Sequence, residues 1–108
     1  MAKLARTLHR DFNELLQCIE KGILNGSISA TLEDKADYAA PTARCSVRVF
    51  ERYSYLGGNR VSMNVTLFQA GNGPVQLCAI TSGGSQAMFF KCNTIGEKKF
   101  LLTLEALL

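Results

Sequence analysis

The sequence predicts an α+β fold: an antiparallel meander of four to six strands, in the order β-α-β(4–5)-α, with two helices covering one face. Three observations predict it. Residues 11–26 repeat apolar side chains at helical spacing, a long stretch from Ser27 alternates with a period of two, and the last fifteen residues return to a helical pattern.

Leu4 to His9 alternate weakly, with Leu4, Arg6 and Leu8 against Ala5 and Thr7, which suits a short first strand. The first helix follows. Asp11 is a good N-cap, Glu14 completes a capping box, and Phe12, Leu15, Leu16, Ile19 and Ile23 fall on one face. Asn25-Gly26 ends it, with glycine expected in a left-handed cap.

From Ser27 the alternation of Ile28, Ala30 and Leu32 with Ser27, Ser29, Thr31 and Glu33 predicts a half-buried strand. "DKADYAAPT" is polar and carries a proline, and so predicts a loop. Three strands follow: Cys45, Val47 and Val49; then Val61, Met63, Val65 and Leu67; then Val75, Leu77 and Ala79. In all three the odd-numbered positions are the apolar ones.

Paired residues of an antiparallel hairpin share a face, so joining odd to odd needs a loop of odd length. Gly57-Gly58-Asn59 and Gly71-Asn72-Gly73 suit three-residue loops, pairing Leu56 with Arg60 and Ala70 with Pro74. In "AITSGGSQAMFFKCN" a two-residue Gly83-Gly84 turn would place Met88 opposite Ala79 and Phe90 opposite Leu77, adding a further strand. A phosphate cradle would need a helix straight after the glycines, and the G-K-[ST] ending of a P-loop is missing. The final helix is expected to begin near Thr94, whose capping box ends at Glu97, and to run through Phe100, Leu101, Leu102, Leu104, Leu107 and Leu108. These cover more than one stripe, so the helix is deeply packed or also meets a partner.

The order of elements looks like the helix-grip and TATA-binding-protein-like folds, in which a C-terminal helix lies across a curved sheet. The segments "RVFERYSYLGGNRVSMNVTL" and "ITSGGSQAMFFKCNTIGE" resemble a family of small bacterial proteins of unknown function, over most of the chain from Asp11 onward. That resemblance implies a bacterial single-domain protein and supplies no catalytic residues.

Bulk chemistry narrows the function. A chain of 108 residues with 19% charged side chains suits one folded domain. The net charge of +3 is too small to imply a polyanion partner. No apolar run is long enough to cross a bilayer, and the first residues do not read as a secretory signal, so the expected location is the cytoplasm. Cys18, Cys45, Cys78 and Cys92 are far apart with no C-x-x-C pair, so free thiols are expected rather than a zinc site, and no cofactor is predicted. The one histidine, His9, reads as a surface imidazole, and no nucleophile with a base or pair of carboxylates stands out. The protein is therefore not expected to be an enzyme.

The candidate sites follow from the odd-in, even-out rule. On the outer face it gathers Arg48, Phe50, Phe68, Cys78, Ile80 and Phe89, a patch suited to self-association, a dimer being favoured, or to a protein partner. On the inner face Glu51, Tyr53, Gln69 and Thr81 interrupt the apolar pattern, and a small apolar ligand between the last helix and the sheet is the second possibility. Arg44, Arg48 and Arg52 with Phe50 also suggest a nucleic-acid surface. Arginines four apart on a strand are roughly 13 Å apart, about twice the spacing of adjacent phosphates, so nucleic acid is the least favoured partner.

Overall fold

The computed structural model describes residues 1–54, 58–83 and 90–108, with the backbone alone at 90–94. Strand β1 (Ala2–Leu8) leads into helix α1 (Phe12–Asn25), followed by β2 (Thr31–Ala40), β3 (Ala43–Ser54), β4 (Asn59–Ala70), β5 (Val75–Gly83) and helix α2 (Phe90–Glu105). The five strands form one antiparallel sheet in the order β1-β5-β4-β3-β2. This is the expected α+β architecture, with both helices on one face.

Helix α1 forms as its capping chemistry dictates. The Asp11 carboxylate accepts from the Glu14 amide at 3.0 Å, and Phe12, Leu15, Ile19 and Ile23 are buried. Gly26 ends the helix with φ at −79°, a right-handed conformation, so the glycine is not needed there for a left-handed cap. Its role is steric: a Cβ on Gly26 would lie 2.9 Å from the Gly22 carbonyl. Helix α2 buries Phe100, Leu101 and Leu104 and leaves Leu102 exposed. Gly96 lets it approach the sheet, since a Cβ there would meet the Ser54 Oγ at 2.6 Å.

The β4–β5 hairpin has the predicted register, with Gln69 opposite Val75 and Leu67 opposite Leu77. Gly71 supplies the positive φ, +56°, that its turn demands. Strand β3 is turned over relative to expectation. Its last pair with β4 is Ser54 with Asn59, so the connection holds four residues instead of three. An even loop joins even positions to odd ones. Phe50 therefore meets Met63 in the core, both without solvent exposure, and Ser46 and Arg48 also face inward. Cys45, Val47 and Val49 point to the outer face.

Two further expectations are corrected. Residues 27–30 form a turn, with Ile28 fully exposed, and the strand starts at Thr31 and runs through "DKADYAA". That segment is an edge strand, where charged side chains reach water on a free edge and blunt it against further pairing. Pro41-Thr42 makes the two-residue turn into β3. The edge of β5 on which the expected hairpin would set Met88 opposite Ala79 and Phe90 opposite Leu77 is paired with β1, with Leu4 opposite Ala79 and Arg6 opposite Leu77. Phe90 opens α2 instead, one turn before Thr94, and the rest of the expected hairpin lies outside the described residues.

Candidate functional site

Among the described residues no helix covers the outer face of the sheet, and the strand registers fix its rows. One row reads Tyr38, Cys45, Phe68, Gln76 and Thr7 from β2 to β1; the next reads Ala36, Val47, Thr66, Cys78 and Ala5. A third reads Asp34, Val49, Asn64, Ile80 and Lys3, beyond which the face turns polar with Thr31, Glu51, Ser62 and Ser82. The apolar side chains concentrate on β3 and β5, with Phe68 between them on β4. Phe68 is 43% and Ile80 41% exposed, and Cys45, Val47, Val49 and Cys78 are half-buried by their neighbours. The polar end is knit together internally: Arg60 donates to Glu51 at 2.9 Å, and the Ser62 and Ser82 hydroxyls are 2.9 Å apart.

Of the residues expected in this patch, Phe68, Cys78 and Ile80 lie on it. Arg48 and Phe50 do not: the inverted β3 carries them inward, to 4% and 0% exposure. Cys45, Val47 and Val49 take their places. Phe89 lies outside the described residues. The expected inner pocket is not assembled either. Glu51 and the exposed Tyr53 lie on the outer face, while Thr81 is buried on the inner one, its hydroxyl donating to the Glu97 carbonyl at 3.2 Å. Gln69 sits at the far end of β4, donating to the Gly73 carbonyl at 2.8 Å. The arginine line is likewise on the helix side, with the Arg44 guanidinium 3.9 Å above the Phe12 ring.

On that inner side Arg48 organises a charged cluster. Its Nε donates to Glu20 of α1 at 2.7 Å and its Nη1 to Asp37 of β2 at 3.0 Å, with the Val47 carbonyl also accepting at 2.9 Å. Burial works against the charge, but the bonds to Glu20 and Asp37 outweigh it and raise the guanidinium pKa. The Asp37 carboxyl is held below its usual range by the Ser46 hydroxyl, which donates at 2.6 Å, and then by Arg48. Asp37, Ser46 and Arg48 line a cleft of about 770 Å³ between α1 and the end of the β2–β3 hairpin, together with Asn13, Arg44 and Gln69. Its polar groups are largely engaged with one another, which suits a tie between helix and hairpin better than an empty ligand site. The space between α2 and the sheet is filled by Phe100 and Leu104, both essentially without exposure.

Among the described residues no group of three His, Cys, Asp or Glu side chains comes together as a metal site, and no helix is long and apolar enough to cross a membrane. Cys18, Cys45 and Cys78 are free thiols and His9 is exposed. The loop-length parity is the signal that would have located Val47 and Val49 on the outer face, had the fourth loop residue been visible; nothing in the spacing of Glu20 and Asp37 announces their meeting at Arg48.

Residues 1–108 match the family of unknown function DUF6054, and the chain belongs to that family. No curated protein and no solved structure matches the chain.

Proposed function

We propose that this family member is a non-enzymatic interaction domain whose outer sheet face packs against the same face of a second copy. The single observation that carries this is a sheet face with an apolar middle on β3, β4 and β5 that no helix covers among the described residues. Sheets stack face to face at about 10 Å, with mean strand directions about 30° apart.

The face is self-complementary about a two-fold axis lying along β4, the central strand. Such an axis sets β3 of one copy over β5 of the other, hence Val49 over Ile80 and Val47 over Cys78, with Phe68 against its own equivalent. It also sets the edge residue Asp34 over Lys3, because both occupy the third row at opposite edges of the sheet. A rotation of about 30° moves those edges by roughly 5 Å, within the reach of a lysine. The rows span roughly 600 Å² per copy from strand and residue spacings, near the lower limit of a stable specific interface.

Charge reversal tests the arrangement. Lys3→Glu or Asp34→Lys alone is expected to weaken the dimer by about tenfold, and the two together to restore it, as the sign of the contact demands. Single reversals without effect, or a double variant no tighter than either single one, would count against this pairing.

A further inference from the structure

Arg52 differs from the other arginines. Arg6, Arg10, Arg48 and Arg60 each meet a carboxylate. Arg44 covers the Phe12 ring and donates to Asn13. Among the described residues Arg52 has only neutral partners: the Thr103 hydroxyl, which accepts at 3.2 Å, and the Phe100 ring, 4.5 Å from the guanidinium carbon. It is half-buried on the helix side of β3, where desolvation lowers its pKa, and no carboxylate pairs with it among the described residues. A guanidinium has five N–H donors in a rigid fork, and among the described residues this one donates only to Thr103. A cation withdrawn from water without a counter-charge costs free energy that a bound anion would return.

The same side chain lines a pocket of about 240 Å³ where the end of α1, the end of β3 and α2 meet. Lys99 reaches it from α2 and Ser27 from just beyond α1, and the lining holds no carboxylate among the described residues. Gly96 brings the α2 backbone close to the Ser54 side chain there, since a Cβ on it would lie 2.6 Å from the Ser54 Oγ. The partial negative charge at the C-terminal end of α1 attracts the same cations, yet Arg52 donates to none of the α1 carbonyls among the described residues. The volume lies below that of pockets for drug-sized ligands, which start at about 300 Å³.

We infer that this pocket binds a small oxyanion, a phosphate or carboxylate group, through the fork of Arg52 and the ammonium of Lys99. Arginine supplies two parallel N–H bonds to such a group and lysine a mobile point charge. The site lies on the helix side of the sheet and is independent of the proposed dimer face.

Titration of the ¹⁵N-labelled protein with inorganic phosphate, with acetate and with chloride at matched ionic strength tests it. Saturable shifts of the Ser27 and Lys99 amides are expected with phosphate or acetate at about 1 mM, and none with chloride; the tighter of the two identifies the group. Lys99→Gln, an exposed change that leaves the fold intact, is expected to weaken binding about tenfold, Arg52→Gln to abolish it, and Arg60→Gln to leave it unchanged. If Arg52→Gln does not fold, Lys99→Gln decides. Absence of saturation with both anions, or binding unaltered in Lys99→Gln, overturns the inference.

Discussion

The Arg48 guanidinium of β3 lies 2.7 Å from the Glu20 carboxylate of α1, and Arg48 is only 4% exposed. A buried cation has to be matched, and here one carboxylate comes from the helix and one, Asp37, from the neighbouring strand. The pair ties α1 to the β2–β3 hairpin. Arg48→Ala is expected to lose about 3 kcal/mol of stability, because the cluster loses its centre. Glu20→Gln leaves Asp37 in place and is expected to lose about 1 kcal/mol. Urea unfolding of the three proteins checks the order; an Arg48→Ala protein as stable as wild type would show that the cluster does not join helix to hairpin.

The same cluster gives the fold an acid-sensitive contact. The folded pKa of Asp37 is lowered below its ordinary 3.8, first by the Ser46 hydroxyl and then by Arg48. A depressed carboxylate stabilises the fold above its unfolded pKa, and that contribution is lost as pH falls through the folded value. Stability contributed by Asp37 is thus complete at neutral pH and declines from about pH 4 downward. Asp37→Asn is expected to flatten this part of the stability profile. An unchanged acid limb in the variant would assign the sensitivity to other groups.

Two phenylalanines on neighbouring strands report on the facing of the sheet. Phe50 has no exposure and packs opposite Met63, whereas Phe68 is 43% exposed on the outer face. Phe50→Ala is expected to cost about 3–5 kcal/mol, from lost burial and the cavity left behind. Phe68→Ala, measured at a concentration low enough to dissociate a dimer, is expected to cost less than about 1 kcal/mol. Equal losses, or the reverse order, would contradict the inward turn of even positions on β3.

That facing is also where the sequence was hardest to read. Strands β4 and β5 each carry an apolar row on one face and a mixed row on the other, so their alternation alone set their facing, and the Gly71–Gly73 turn set their register. Strand β3 is apolar on both sides: Cys45, Val47 and Val49 on one, Phe50 on the other, with Arg48 among the buried residues. Hydrophobic count favours the wrong side, because an arginine reads as polar until its carboxylates are found on other elements. Helix α1 was legible through Asp11 and Glu14, a local contact. The β2 segment was not, since its charges suit a loop and a free sheet edge equally well. Phe68, Cys78 and Ile80 could be placed on the outer face because β4 and β5 were read correctly; Val47 and Val49 depended on one residue in a turn.

Sedimentation equilibrium of the wild-type protein beside Phe68→Asp and Ile80→Asp, two changes at exposed positions of the outer face, tests the central claim most directly. At roughly 10 µM the wild type is expected at twice the 11.8 kDa chain mass, and both variants at the chain mass with unchanged thermal midpoints. A wild-type protein that stays at 11.8 kDa up to roughly 100 µM, or variants that dimerise as well as wild type, would contradict association through this face.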